Sequence, residues 1–142
     1  MTLVPLIEAS PAIQIHAAAA FAAFGLGLVI LFRRKGTPSH RFSGYVWVVL
    51  MLVTALSSFA IHELRVWGEW SPIHLLSIGT IASLGLGVWL ARNGHVRGHL
   101  NTMRATFAGA LVIAGLFSFM PGRIMHAVLF AGDNAFVTGM VA

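Results

Sequence analysis

Polar and charged positions along this chain fall in short clusters, and the apolar stretches between them are long. Four runs, at about 11–33, 44–66, 71–91 and 104–121, approach or reach the roughly 20 residues that a helix needs to cross a bilayer. The first predicted helix runs from Ala12 to about Phe32, followed by a turn from Arg33 to Ser43 with Gly36 and Pro38 as breakers. The second runs from Gly44 to about Val66, with Trp67 and Trp70 as interfacial anchors. Ser71-Pro72 has the form of an N-cap followed by the first helical residue of the third helix, which ends near Ala91 before an Asn93-Gly94 turn. The fourth helix starts between His99 and Met103 and stops at Pro121-Gly122. From Arg123 to Ala142 the chain is apolar but broken by Gly132-Asp133-Asn134, which suits a short helix lying at the interface. A fifth span would set Asp133 at mid-depth, where a charge needs a partner.

The pattern repeats. Ile15-His16, Gly25-Leu26-Gly27, Lys35-Gly36 and His40 are answered by Ile73-His74, Gly85-Leu86-Gly87, Asn93-Gly94 and His99. The separation is 58 residues for His16 and His74 and 60 for Gly25 and Gly85, a drift that small loop insertions explain. The expected fold is all-α: a polytopic membrane four-helix bundle made of two tandem hairpin repeats, with a short C-terminal interfacial helix. Residues 1–142 form a single integral membrane domain, with repeat 1 at about 12–66, repeat 2 at about 71–121 and a tail at 122–142.

Composition agrees. The chain is 58% hydrophobic and 9% charged, which excludes an ordinary soluble domain. Its mean hydropathy is +0.86. The absence of cysteine excludes disulfides, thiolate zinc, iron–sulfur clusters and covalent haem attachment. The net charge of +5 is a topology signal and not a sign of nucleic-acid binding. Arg33, Arg34, Lys35 and Arg41 fall in the first loop, and Arg92, Arg97 and Arg104 in or beside the third, while Glu8, Glu63, Glu69 and Asp133 belong to the other side. The positive-inside rule then expects both hairpin loops in the cytoplasm and the N-terminus outside, in a multi-pass protein of a bacterial inner membrane. Basic residues follow the first apolar run and do not precede it, so that run reads as a span and not as a cleaved signal peptide.

The candidate chemistry lies in seven histidines set against four acids. Ionisable side chains inside a membrane are costly and usually face the bundle interior with a task. If the two repeats pack about a two-fold axis, His16 pairs with His74 toward one face, and His40 with His99 toward the other. Two bis-imidazole pairs, one near each face, meet the ligand requirement of a transmembrane b-type cytochrome with one or two haem b groups, and iron as the bound metal. Arg41 and Arg104 lie beside the inner pair in sequence and are candidates to hold haem propionates. The plain alternatives are interior histidines hydrogen bonded between helices for His16 and His74, and solvated interfacial residues for His40, His95 and His99.

His16 opening the first helix, the run HRFSGYVWVVLML at His40, and PIHLLSI at His74 followed by GHLNTMRATF at His99 resemble domain-of-unknown-function family 2306 over about residues 12–123. That resemblance implies a membrane protein with no established activity. The layout is similar to two-haem transmembrane b-type cytochromes, which also set ligand pairs on alternate helices.

Three functions follow as expectations. The first is an electron carrier with bis-histidine haem, exchanging electrons with a quinone or a redox partner protein. The second is a non-catalytic accessory subunit of a larger membrane complex. The third is a transition-metal site built from His16, His62, His74 and His126. No phosphate loop, catalytic serine or cysteine arrangement, or carboxylate pair is present, so phosphoryl and acyl transfer are not expected.

Overall fold

The structure is a computed structural model that describes residues 3–61, 72–121 and 123–130. A short helix α1 (Val4–Ile7) precedes the first long helix α2 (Pro11–Phe32). Next come α3 (Pro38–Ser58), α4 (Pro72–Arg92) and α5 (Val96–Thr106). The last of these runs without a break into a π-helical segment (Phe107–Ile113) and then α6 (Ala114–Ser118), and α7 (Ile124–Phe130) follows. Among the described residues, four helical stretches are long and apolar enough to cross a membrane: Pro11–Phe32, Pro38–Ser58, His74–Arg92 and Val96–Ser118.

The two hairpins pack as the repeat predicts. α2 lies along α3, and α4 along α5; α3 then packs on α4, and the π segment closes the ring against α2. The backbones of α2 and α4, and of α3 and α5, do not approach closely, so these helices are diagonal partners across the bundle. The two hairpin turns share one device, a glycine at positive φ, with Gly36 at 83° and Gly94 at 75°. A side chain with a Cβ rarely adopts that conformation, which is why glycine recurs at equivalent points of both repeats. α7 packs against α1.

Two boundaries differ from the sequence expectation. α3 begins at Pro38, six residues before Gly44. Pro38 is therefore the first residue of the helix and not a breaker: Thr37 caps it, its hydroxyl accepting from the His40 backbone N–H at 3.1 Å. α5 begins at Val96, ahead of the expected start between His99 and Met103. Both shifts set a histidine, His40 and His99, firmly inside the first turn of its helix. The expected stretch from Phe59 to Val66 is not helical at Phe59–Ile61, and its remainder, with Trp67, Trp70 and Ser71, lies outside the described residues.

The centre is filled by Ala23, Trp47, Met51, Leu84, Phe107 and Leu111. Gly27 makes this packing possible. A Cβ there would stand 2.6 Å from Trp47 Nε1 and 2.7 Å from the Phe107 ring. Its counterpart Gly87 likewise receives the Met103 side chain. Phe107 also stacks on Phe24 at 5.6 Å. The π segment begins at Phe107, and the two residues of that segment that enter the core are Phe107 and Leu111. Many large apolar side chains, such as Phe21, Leu86 and Leu116, face outward, as a helix bundle surrounded by hydrocarbon requires.

Candidate functional site

Among the described residues, the histidines fall at the two ends of the bundle. At the end carrying the hairpin turns, His40 lies in the first turn of α3 and His99 in the first turn of α5. These helices are diagonal partners, yet the two rings reach across to 6.5 Å between centroids, nearly perpendicular at 84°. His99 is held in place: its Nδ1 lies 2.9 Å from the Gly87 carbonyl oxygen. A carbonyl only accepts, so Nδ1 carries the proton and Nε2 of the neutral ring keeps its lone pair. His40 has no such anchor, and its Nδ1 is buried with no hydrogen-bond partner. A buried polar atom left unpaired costs about 1–3 kcal/mol, so native proteins rarely retain one without a use.

At the opposite end, His16 lies in the second turn of α2. Its Nδ1 is 2.9 Å from the Thr54 carbonyl and 3.1 Å from the Ser57 hydroxyl, both on α3. Again the carbonyl fixes the proton on Nδ1 and leaves Nε2 as the basic nitrogen. His74 is buried in the first turn of α4, where its ring stacks on Phe59 at 5.5 Å and 13°. His16 is thus bonded to α3 and His74 stacks on Phe59, whereas His40 and His99 face each other.

The remaining candidates are dispersed. His95 is exposed and stacks on Trp89 at 6.0 Å. His126 lies on α7 against Phe130 at 4.9 Å. His62, part of the expected outer metal cluster, lies outside the described residues. Among the described residues no three metal-binding side chains converge. Arg41 and Arg104 are both exposed. Arg41 is the immediate neighbour of His40. Arg104 is turned roughly 140° round α5 from His99, away from the bundle centre. The sequence had no signal for the carbonyl anchors at Thr54 and Gly87, because a backbone acceptor has no residue type of its own.

His40 and His99 stand side by side, their ring centroids 6.5 Å apart, and His40 keeps a buried ring nitrogen with no partner, so these two imidazoles are the residues that would hold a metal-centred group here. A histidine ligand normally donates its other ring N–H to a carbonyl or carboxylate, as His99 and His16 do here. The residues present at the His40–His99 end thus fit a bis-imidazole centre.

A bundle of four apolar helices in two hairpins, with histidines at the helix starts, defines an integral membrane protein of the helical class. The chain belongs to the family described as predicted membrane protein (DUF2306), whose model matches residues 13–141. No curated protein and no solved structure matches it.

Proposed function

We propose that this protein is a small transmembrane electron carrier of the b-type cytochrome kind, with haem b held between paired histidines. The observation that carries this reading is the His40–His99 pair: two rings from diagonal helices, 6.5 Å apart, one anchored through Nδ1 and the other with a buried unpaired Nδ1. A metal ion bound by protein alone usually takes four ligands, and no third donor joins this pair among the described residues. Two imidazoles suffice when a macrocycle supplies the other four bonds. Haem bound this way stores one electron by alternating between ferrous and ferric iron.

The chain's own residues have definable parts in this reading. The Gly87 carbonyl holds the His99 ring in orientation and raises the basicity of Nε2. Thr54 and Ser57 do the same for His16 at the other end, where His16 and His74 are the candidates for a second centre. Arg41, next to His40, is placed to attract a propionate. The core of Trp47, Met51, Leu84 and Phe107 keeps water out of the space between the two ends. Electrons would enter from a quinol or a redox protein at one face of a bacterial inner membrane and leave at the other, with the basic turns in the cytoplasm.

The test is a reduced-minus-oxidised visible spectrum of the detergent-purified protein, with haem quantified per chain. Two haems per chain, one lost in His40→Ala and the other in His16→Ala, is the full expectation. One haem, lost in His40→Ala and His99→Ala alike, restricts the function to the end with the hairpin turns. Protein made in haem-replete cells that carries no haem overturns the reading.

A further inference from the structure

The first turns of the fourth span carry a polar stripe that faces away from the bundle. Arg97, Asn101 and Arg104 are all exposed, and their spacing sets them within about 60° of one another on the side of α5 opposite His99. In a membrane helix this is an expensive arrangement unless something polar meets it. No part of the chain does so among the described residues, where Glu8, at the other end of the bundle, is the sole acid.

Directly beyond this stripe, toward the middle of the membrane, the outer groove between α4 and the fourth span opens into a cavity of about 300 Å³. Gly79, Thr80, Ser83, Ala105, Thr106 and Gly109 are among its walls. The two threonine hydroxyls are turned back onto their own helices, bonding the Leu76 carbonyl at 2.8 Å and the Thr102 carbonyl at 2.9 Å. Their hydrogen-bonding capacity is thus used within the backbone, and the wall is mostly apolar. Ala105 follows Asn101 by one helical turn, so the stripe and the groove are continuous. Gly109 lies in the π segment that borders the cavity.

We infer that this surface is a binding site for one anionic phospholipid: Arg97, Asn101 and Arg104 hold the phosphate headgroup, and the groove between α4 and the π segment takes an acyl chain. The chemistry matches part by part. Two guanidiniums and a carboxamide present only positive charge and hydrogen-bond donors suited to phosphate, plus one amide acceptor. Arginines near a helix end reach the headgroup region, where each favours anionic over neutral lipid. The groove below is open along the outer surface, mostly apolar, and offers almost nothing to a polar ligand.

The experiment compares retention of phosphatidylglycerol and phosphatidylcholine by the purified protein in mild detergent, using native mass spectrometry and the melting temperature. The wild-type chain is expected to prefer phosphatidylglycerol on the order of tenfold. R97Q/R104Q should abolish the preference. Gly79→Leu should lower retention of both lipids by filling the groove, with lipid-free stability intact, because a Cβ at Gly79 meets nothing within 4 Å. Equal retention of the two lipids by wild type, or a preference that survives in R97Q/R104Q, overturns the proposal. Inorganic phosphate producing the same melting shift as phosphatidylglycerol overturns it in favour of a free-anion site. Dimerisation lost in R97Q/R104Q, without lipid preference, overturns it in favour of a contact between copies.

Discussion

The indole N–H of Trp47 on α3 donates to the carbonyl of Ala23 on α2 at 2.9 Å, directly over the bare backbone of Gly27. This bond ties the two helices of the first hairpin together at the core, and Phe107 from the π segment presses on the same glycine. Gly27 is therefore fixed by space, not by backbone conformation. Gly27→Ala should destabilise the protein by about 1–3 kcal/mol, because neither ring is a flexible chain end that can yield cheaply. Gly25→Ala is the control. Nothing stands within 4 Å of a Cβ there, so it should be neutral or stabilising by about 0.5–1 kcal/mol. Thermal unfolding of the two variants in one detergent decides the matter: equal melting temperatures would contradict the packing described.

Trp47 contributes through its nitrogen as well as its bulk. Trp47→Phe keeps an aromatic ring in the core but removes the donor to Ala23. The Ala23 carbonyl retains its own helical bond, so no acceptor is left wholly unpaired. The expected loss is about 1 kcal/mol from the bond, plus a cavity term for the smaller ring. Trp47→Ala should cost about 3–5 kcal/mol and separate α2 from α3. A Trp47→Phe variant as unstable as Trp47→Ala would mean that the hydrogen bond, and not the filled volume, dominates.

Between the two repeats, α3 and α4 are joined by a hydrogen bond between the hydroxyls of Ser58 and Ser77, both side chains buried. The Ser58 hydroxyl donates its one proton to the Ala55 carbonyl of its own helix, so the Ser77 hydroxyl is the donor between the helices. A double-mutant cycle of Ser58→Ala and Ser77→Ala should give a coupling of about 0.6 kcal/mol, the average for polar pairs between membrane helices. Additive effects of the two changes would show that each hydroxyl is satisfied within its own helix and that the junction rests on packing alone.

Much of this architecture is legible in the chain. The repeat places four spans and sets Gly36 and Gly94 at equivalent turns, and both prove to need positive φ. It also pairs His40 with His99, whose rings face each other across the bundle. The start of α3 is misread because proline stops a helix or opens one depending on what precedes it, and Thr37 makes Pro38 an opener. The π segment has no compositional mark: FAGALVI would fit an α-helix equally well. The orientation of Arg104 follows from helical spacing alone: five residues after His99, it is carried roughly 140° round the axis of α5, so nearness in sequence does not put it beside His99. The tail beyond Phe130, with Asp133, lies outside the described residues.

The three histidines near the hairpin turns separate function from location. His95 sits one turn from His99 and is equally close to the basic loop, but it is exposed and stacked on Trp89. If proximity to the interface were all that mattered, His95→Ala, His40→Ala and His99→Ala would behave alike. The pairing of His40 with His99 predicts otherwise. His40→Ala and His99→Ala should each remove the same haem, seen as loss of one b-type absorption band, while His95→Ala leaves the spectrum intact. Gly87→Pro would be too disruptive to test the anchor, because it breaks the helix that supplies the carbonyl. His99→Met is the sharper variant: it keeps a metal ligand but loses the bond to Gly87. It should retain haem with altered bands and an altered midpoint potential, since the ligand itself has changed. An unchanged spectrum and potential in His99→Met would show that His99 is not a ligand, and the proposed centre at this end would fall with it.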